Sequence, residues 1–462
     1  MRDTRILRFV SLIIILFVVA NSNLVYFRII SISVIILRIY FSLLLMELQF
    51  SSKTWEKIPA SDSIKRTQNP IRNWIESHIS MVRPNPSKQL LVFTVGDPVV
   101  YPGFEPSSRC LQTFSESIDT VDQQTESDSN LQARQYLANL YSSEHSMLTE
   151  DDVFLQSGCS GALLAANLAL ADAGDTVLVP KPGFPLMVAV CEERGINIET
   201  YNLNPEKNWE IDLEDLEEKL KRSPKFLLVN NPSNPLGAVW IADHITEVLK
   251  LANKFKVPIL ADEVYEKMVF PNEIVNSFGK LSKGQPVIVA SGYAKMGLAP
   301  GWRLGWVVCY GNPKLVAPLK RALGKVSKFT SCPTSLVQTK LPELFSEALA
   351  ELQPRMEDIE KRVSLLTEEL RDCPGIKVMS SKGAMYAVLR LDFKQFRDIT
   401  SSSQFALKLL EEEHINTLPG SLFGDDSFIR IVSLADAEYY KDFGMRIKEF
   451  ARRHIHVAEY HI

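Results

Sequence analysis

The chain has 462 residues, 46% of them hydrophobic and 23% charged, room for about two to three domains of roughly 150 residues. That composition excludes collagen-like, disordered and disulfide-scaffold classes. Lys plus Arg number 51 against 55 Asp plus Glu, a net charge of −4, which argues against a general nucleic-acid binder because that role needs a basic surface.

Cysteine usage points the same way. Cys110, Cys159, Cys191, Cys309, Cys332 and Cys373 include no pair at CxxC spacing. So few in so long a chain is a reduced, intracellular pattern and disfavours a zinc site built from close pairs.

The first stretch stands apart. Residues 5–50 are strongly apolar, interrupted by Arg28 and Arg38. The longest apolar stretch, 9–20, is nearer a signal-peptide core than a span of ~20 residues. Three readings are open: a tilted span with Arg28 snorkelling, a leader, or an extension foreign to the working protein, with translation from Met46. The cost of burying arginine in lipid favours the dispensable extension and a cytoplasmic protein. Membrane association through residues 5–45 is the expectation if the segment is expressed.

From about residue 150 the chain alternates apolar runs with helix-like segments. Strands are expected at 175–180, 225–232, 257–265, 286–293 and 305–310, and a helix at 241–256. Buried apolar strands alternating with helices indicate an α/β fold with a mainly parallel sheet covered on both faces. Ligands bind such sheets outside the carboxyl ends of the strands. A long helix follows at about 343–372, with an apolar stripe of Phe345, Leu349, Leu352, Met356, Ile359, Val363, Leu366 and Leu370. Its spacing resembles a coiled coil, but Pro354 and the short stripe favour a kinked helix bridging two domains. Beyond it, 375–392 and 427–434 read as strands of a smaller α+β domain.

The chemistry-bearing residues cluster after these strands. Lys295 directly follows one, in a run ending at Arg303 in a Pro-Gly-rich turn. A lysine held in a partly desolvated site forms Schiff bases, and an arginine fork suits phosphate. Taken singly, Lys295 reads as an ordinary loop lysine. Asp262 ends a buried strand and needs a cationic partner: a protonated pyridine nitrogen, Lys295 or a structural arginine. Tyr265 follows three residues on, placed to donate to a phenolate oxygen. In 230–237 a turn sets the Asn234 amide at a strand end, the alternative being a plain Asn-Pro turn. Ser157-Gly158-Cys159-Ser160-Gly161 opens an apolar helix, whose N-terminus suits phosphate; the alternative is capping by Ser157 or Ser160.

Together and in this order, these motifs closely resemble the pyridoxal-phosphate-dependent aminotransferases of fold type I, and within them the tyrosine aminotransferases. The residues that carry the resemblance are NPIR (69–72), PNPSK (84–88), GDP (96–98), SGCS (157–160), VPKPGF (179–184), YNLNPEKNWEIDL (201–213), NNPSNPLG (230–237), PILADEVYEKMVF (258–270), AKMGLAPGWRLGW (294–306), GAMY (383–386) and FIRIV (428–432). It spans about 65–455.

The resemblance implies a large domain with a mainly parallel sheet and a smaller α+β domain. The corresponding boundaries are a doubtful extension at 1–46, an arm and part of the small domain at 47–100, a cofactor-binding domain at 101–342, and the bridging helix with the small domain at 343–462. It implies pyridoxal 5′-phosphate as cofactor, an amino acid and a 2-oxo acid as substrates, and a homodimer. It assigns the Schiff-base and proton-shuttling lysine to Lys295 and the ring-nitrogen partner to Asp262. Tyr265 and Asn234 would hold the ring hydroxyl oxygen, and Phe184 would stack on the ring. Gly158, Cys159, Ser160 and Arg303 would hold the phosphate. Arg430 would grip the substrate α-carboxylate and draw the domains together.

Three departures stand out. The family carries Tyr-Asn-Gly-Tyr where 120–134 reads TVDQQTESDSNLQAR; Gly161 replaces a usual Gln; Met187 stands where tyrosine is common. They leave Lys295, Asp262 and Arg303 untouched. Besides a tyrosine aminotransferase, two readings remain: a carbon–sulfur β-lyase using the same cofactor, and a weakened paralogue. A hydrolase is disfavoured, since no GxSxG is present and the seven histidines form no triad or metal motif. His454 and His456 read as a solvated tail.

Overall fold

The computed structural model describes residues 31–32, 34–43, 45–46, 57–79, 87–120, 130–330 and 333–456. Two compact units divide the chain, Met1–Asp62 and Ser63–Ile462. In the first, the described residues between 31 and 46 are helical, with Ile32, Ile35 and Phe41 exposed. Among the described residues no helix is long and apolar enough to cross a membrane. The rest of the 1–46 segment, including the 9–20 run, lies outside the described residues.

In the second unit the strands are β1 (Leu91–Val92), β2 (Val153–Ser157), β3 (Thr176–Lys181), β4 (Asn197–Asn204), β5 (Glu210–Ile211), β6 (Leu227–Asn230), β7 (Ile259–Asp262), β8 (Val287–Gly292), β9 (Leu304–Tyr310), β10 (Ile376–Val378), β11 (Tyr386–Leu391), β12 (Ile415–Asn416), β13 (Leu418–Pro419) and β14 (Phe428–Val432). Eight of them form one sheet in the order β2-β9-β8-β7-β6-β3-β4-β5. Its centre, from β8 to β4, is parallel; β9 runs antiparallel to both neighbours, and β5 pairs antiparallel with β4.

Alternation along the central strands supplies two cores. Leu227, Val229, Ile259, Ala261, Val287 and Val289 face one, and Leu228, Leu260, Ile288 and Ala290 face the other. Both faces are apolar because helices cover both. On one side the helix Gly158–Leu170 buries Ala162, Leu163, Ala165 and Ala166. On the other, Ala242–Phe255 buries Ile245, Val248, Leu249 and Ala252, the stripe of a 3.6-residue period.

The register fixes where the loops emerge. Asp262 pairs with Asn230 on one side and Ala290 on the other, so the carboxyl ends of β6 and β7 lie level and β8 runs two residues past them to Gly292. Antiparallel β9 begins at that same edge, where Leu304 faces Ser157 and Gly305 faces Gly292. The loops carrying Asn234, Tyr265, Lys295 and Arg303 therefore meet at one rim.

The long helix runs Leu341–Glu369 as one continuous element with Pro354 inside it. It packs on the helices Ser108–Thr120 and Tyr293–Met296 at one end and on Ala437–His454 at the other. Its buried stripe uses Ala348 rather than Leu349, which is exposed. Beyond it, β10-β11-β14-β13 form an antiparallel sheet backed by the helices Ser402–Glu413 and Ala437–His454. His454 does not belong to a solvated tail. It is buried, with Nδ1 at 2.8 Å from Asp398 and Nε2 at 3.0 Å from Glu412. His456 is exposed, as expected.

Backbone hydrogen bonds tie the two sheets together near the rim. The amides of Lys382 and Gly383 donate to the Gly237 carbonyl at 2.8 and 3.1 Å, and Ala384 N–H donates to the Met268 carbonyl at 2.7 Å. Gly237 has φ +65°, and a Cβ there would lie 2.1 Å from Ser381 Oγ and 2.7 Å from the Tyr386 carbonyl oxygen. Strained backbone and overpacking then act together, so Gly237→Ala is expected to destabilise the protein by about 2–4 kcal/mol. Urea unfolding checks this; an unchanged midpoint would show that the clamp has room to spare.

Candidate active site

At the rim lies a cavity of about 370 Å³. Cys159, Ser160, Phe184, Asn234, Asp262, Tyr265, Lys295, Arg303 and Arg430 all line it. Gly158, the remaining sequence candidate, acts from beneath. It has φ +71°, and a Cβ there would fall 2.3 Å from Arg303 Nη2. Glycine at this position lets the guanidinium lie on the start of the helix Gly158–Leu170. Arg303 itself takes a left-handed conformation, φ 54°. Its Nη2 donates to the Ser157 carbonyl at 3.1 Å, and its own carbonyl accepts from Gly158 N–H at 3.0 Å. Ser157 makes no side-chain cap at this helix start. The first-turn amides, the Ser160 hydroxyl and Arg303 thus present a positive cradle suited to phosphate.

Asp262 forms the negative wall. Its Oδ1 accepts from Val264 N–H at 3.2 Å and from the Cys159 thiol at 3.6 Å. No described lysine, arginine or histidine lies within ion-pair distance of its carboxylate, so Lys295 and a structural arginine drop out as partners. Burial pushes the Asp262 carboxyl up to about 6. The Cys159 thiol is held well above its ordinary value, first by burial and then by Asp262.

Across the cavity, Lys295 Nζ donates to the Gly96 carbonyl at 2.5 Å and lies 5.9 Å from the centre of the Tyr265 ring. Arg430, on β14, is buried; Nη2 donates to the Thr94 carbonyl at 2.6 Å and Nη1 to Asn234 Oδ1 at 3.3 Å. Its Nε is buried without a partner. No carboxylate among the described residues pairs with it, and burial holds its pKa below the usual arginine value. A second cavity shares Ile71, Ile75, Val95, Phe184 and Leu186 with the first and extends it with a largely apolar lining.

Several lining residues were assigned no role from sequence: Ile71 and Ile75 of the helix Pro70–Ile79, Thr94, the Gly96 carbonyl and Tyr386. Each falls in or beside a motif that carried the family resemblance. The 120–134 departure lies mostly at 121–129, outside the described residues; Asn130 caps the helix Leu131–Tyr141 through a 2.9 Å bond to Ala133 N–H. Met187 is buried in the second core rather than in the cavity.

The sequence profile of the aminotransferase class I and II family matches residues 89–441. The chain belongs to that family. Human tyrosine aminotransferase is 33% identical over 409 residues, 88% of this chain and 89% of its own. The S-alkyl-thiohydroximate lyase SUR1 of Arabidopsis thaliana is 29% identical over 388 residues, covering 81% and 82%. The crystal structure of tyrosine aminotransferase from Leishmania infantum superposes with a TM-score of 0.81 at 25% identity, over 87% of this chain and all of that one.

Membership of this aminotransferase family implies pyridoxal 5′-phosphate, and the cavity fits it. A buried carboxylate without a cation, an amine, a positive cradle and an unpaired buried guanidinium match a cationic ring, an aldehyde, a phosphate and a substrate carboxylate.

Beside Asp262, Glu263 points into the opposite core. Its Oε1 accepts from Phe278 N–H at 2.8 Å, Oε2 is buried without a partner, and Glu266 and Lys267 are its charged neighbours. Burial, then Glu266, push its carboxyl from 4.5 up to about 8. Between those values the folded chain keeps a proton that the unfolded chain has lost, so stability falls as pH rises through the window and levels off above it. Glu263→Gln is expected to gain a few degrees in Tm over wild type as pH goes from 5 to 8.5. Parallel melting curves at both pH values would contradict this.

Proposed function

We propose that this enzyme moves the amino group of tyrosine, or another aromatic amino acid, to 2-oxoglutarate, giving 4-hydroxyphenylpyruvate and glutamate. The observation that carries the reading is the meeting of Lys295, unpaired Asp262 and unpaired Arg430 in one cavity that continues into an apolar groove. When bound, pyridoxal 5′-phosphate supplies an electron sink that makes the substrate α-hydrogen acidic.

The chain's own residues do the rest. Asp262, as a carboxylate, holds a proton on the ring nitrogen. Tyr265 and Asn234 hold the ring hydroxyl oxygen, and Phe184 covers one face. Gly158, Cys159, Ser160 and Arg303 hold the phosphate. Arg430 binds the α-carboxylate with its planar fork, which also fixes the α-hydrogen in front of Lys295. Lys295 Nζ takes that proton and returns it at the carbon that bore the aldehyde. The Gly96 carbonyl steadies the amine between these events. Ile71, Ile75 and Val95 accept the aromatic side chain by burial.

A homodimer, in a reducing cytoplasm, is part of the same reading. So is a division into a 47–100 arm, a 101–342 cofactor domain and a 343–462 bridging helix with small domain, Arg430 drawing the last toward the second. A second reading, carbon–sulfur lysis, is favoured by the likeness to the Arabidopsis lyase, because the same Lys295 and Asp262 serve either carbanion.

A visible absorption scan tests the proposal. With cofactor, the protein is expected to show a band that tyrosine shifts and 2-oxoglutarate restores, with release of 4-hydroxyphenylpyruvate. Lys295→Ala should bind cofactor without that cycle. Pyruvate formed from an S-substituted cysteine with no 2-oxo acid present would instead favour the lyase. A band that no amino acid shifts would leave only the weakened paralogue.

A further inference from the structure

Tyr386, on β11, lines the cavity beside two of the groups just assigned, and no role has yet been given to it. Its hydroxyl lies 2.8 Å from the Tyr265 hydroxyl, and the two rings meet edge to face with centroids 5.7 Å apart. Its ring carries the Arg430 guanidinium at 4.5 Å from the centroid. A Cβ on Gly96 would fall 2.8 Å from the Tyr386 hydroxyl, so glycine there lets that hydroxyl sit against the segment whose carbonyl holds Lys295. Tyr265, Tyr386 and Arg430 are all buried.

A phenol has one proton to give and lone pairs to accept with. Among the described residues each of these two hydroxyls has the other as its hydrogen-bond partner. One proton must lie between them, and the other is left for the cavity. Each ring faces a cation, but Arg430 lies 4.5 Å from the Tyr386 centroid while Lys295 Nζ lies 5.9 Å from that of Tyr265, so electron density is withdrawn more strongly from Tyr386, which makes it the better donor. Its proton then points at Tyr265, and the Tyr265 proton points outward.

We propose that Tyr386 is a positioning residue that links the carboxylate grip to the ring-oxygen contact: its ring backs Arg430, while its hydroxyl donates to Tyr265 and so aims the Tyr265 proton at the cofactor's ring oxygen. The inference rests on the proposed cofactor reading. Donation in series strengthens each bond, so the Tyr265 contact depends on a side chain that never touches that oxygen.

The test uses Tyr386→Phe, which keeps the ring under Arg430 and removes only the hydroxyl. Apoprotein is titrated, by its own fluorescence, with pyridoxal 5′-phosphate and with the 3-deoxy analogue, which lacks the ring hydroxyl. The variant is expected to bind pyridoxal 5′-phosphate about fivefold more weakly and the analogue as wild type does. In the loaded variant the pH midpoint of the visible band should move upward, because a less well-solvated ring oxygen holds its neighbouring proton more tightly. In a Tyr265→Phe background, adding Tyr386→Phe should change nothing further. Equal weakening toward both ligands, or toward neither, overturns the inference and leaves the cofactor reading intact. A wild-type apoprotein that binds neither ligand overturns the cofactor reading as well.

Discussion

Two buried charges without protein counter-charges govern this structure. Asp262 closes the central strand of the large sheet, and Arg430 reaches in from the antiparallel sheet; neither has an ionic partner among the described residues. Burying either alone costs several kcal/mol. A fold that keeps both is organised around a ligand that brings a cation to one and a carboxylate to the other. The register of β6, β7 and β8, the glycine beneath Arg303 and the backbone clamp at Gly237 all serve to hold these two charges across one cavity.

The geometry also explains why residues so far apart in sequence share one purpose. Parallel strands deliver successive loops to the same rim, so Asn234, Tyr265 and Lys295 follow β6, β7 and β8 in turn. Antiparallel β9 returns Arg303 to that rim at its start rather than its end. The smaller sheet adds Arg430 and Tyr386 from β14 and β11, which are hydrogen-bonded neighbours with Val388 opposite Arg430.

Much of this was legible in the sequence wherever burial on both faces writes a continuous apolar run, as in β3, β6, β7, β8 and β9. β4 and β5 escaped because they lie at the sheet edge, where NIETYNLN alternates with solvent and spells no apolar run. In the long helix Ala348 is buried and the more hydrophobic Leu349 is exposed, since hydrophobicity alone does not say which of two adjacent residues faces inward. The burial of His454 leaves no local signal in the sequence, because its two carboxylate partners, Asp398 and Glu412, lie 56 and 42 residues away. Asn234, Asp262, Tyr265, Lys295 and the turn at 157–161 were legible because each ends or follows a strand or opens a helix, whereas Phe184 and Arg430, the latter inside β14, came only with the family resemblance. Tyr386 was not legible, because its significance lies in a hydroxyl contact 121 residues distant.

The most direct measurement is borohydride reduction of the protein loaded with pyridoxal 5′-phosphate, followed by peptide mass mapping. The cofactor's mass is expected on the peptide containing Lys295, with Asp262→Ala sharply reducing the yield. An unmodified Lys295 peptide, or a label on a lysine outside the cavity, would contradict it.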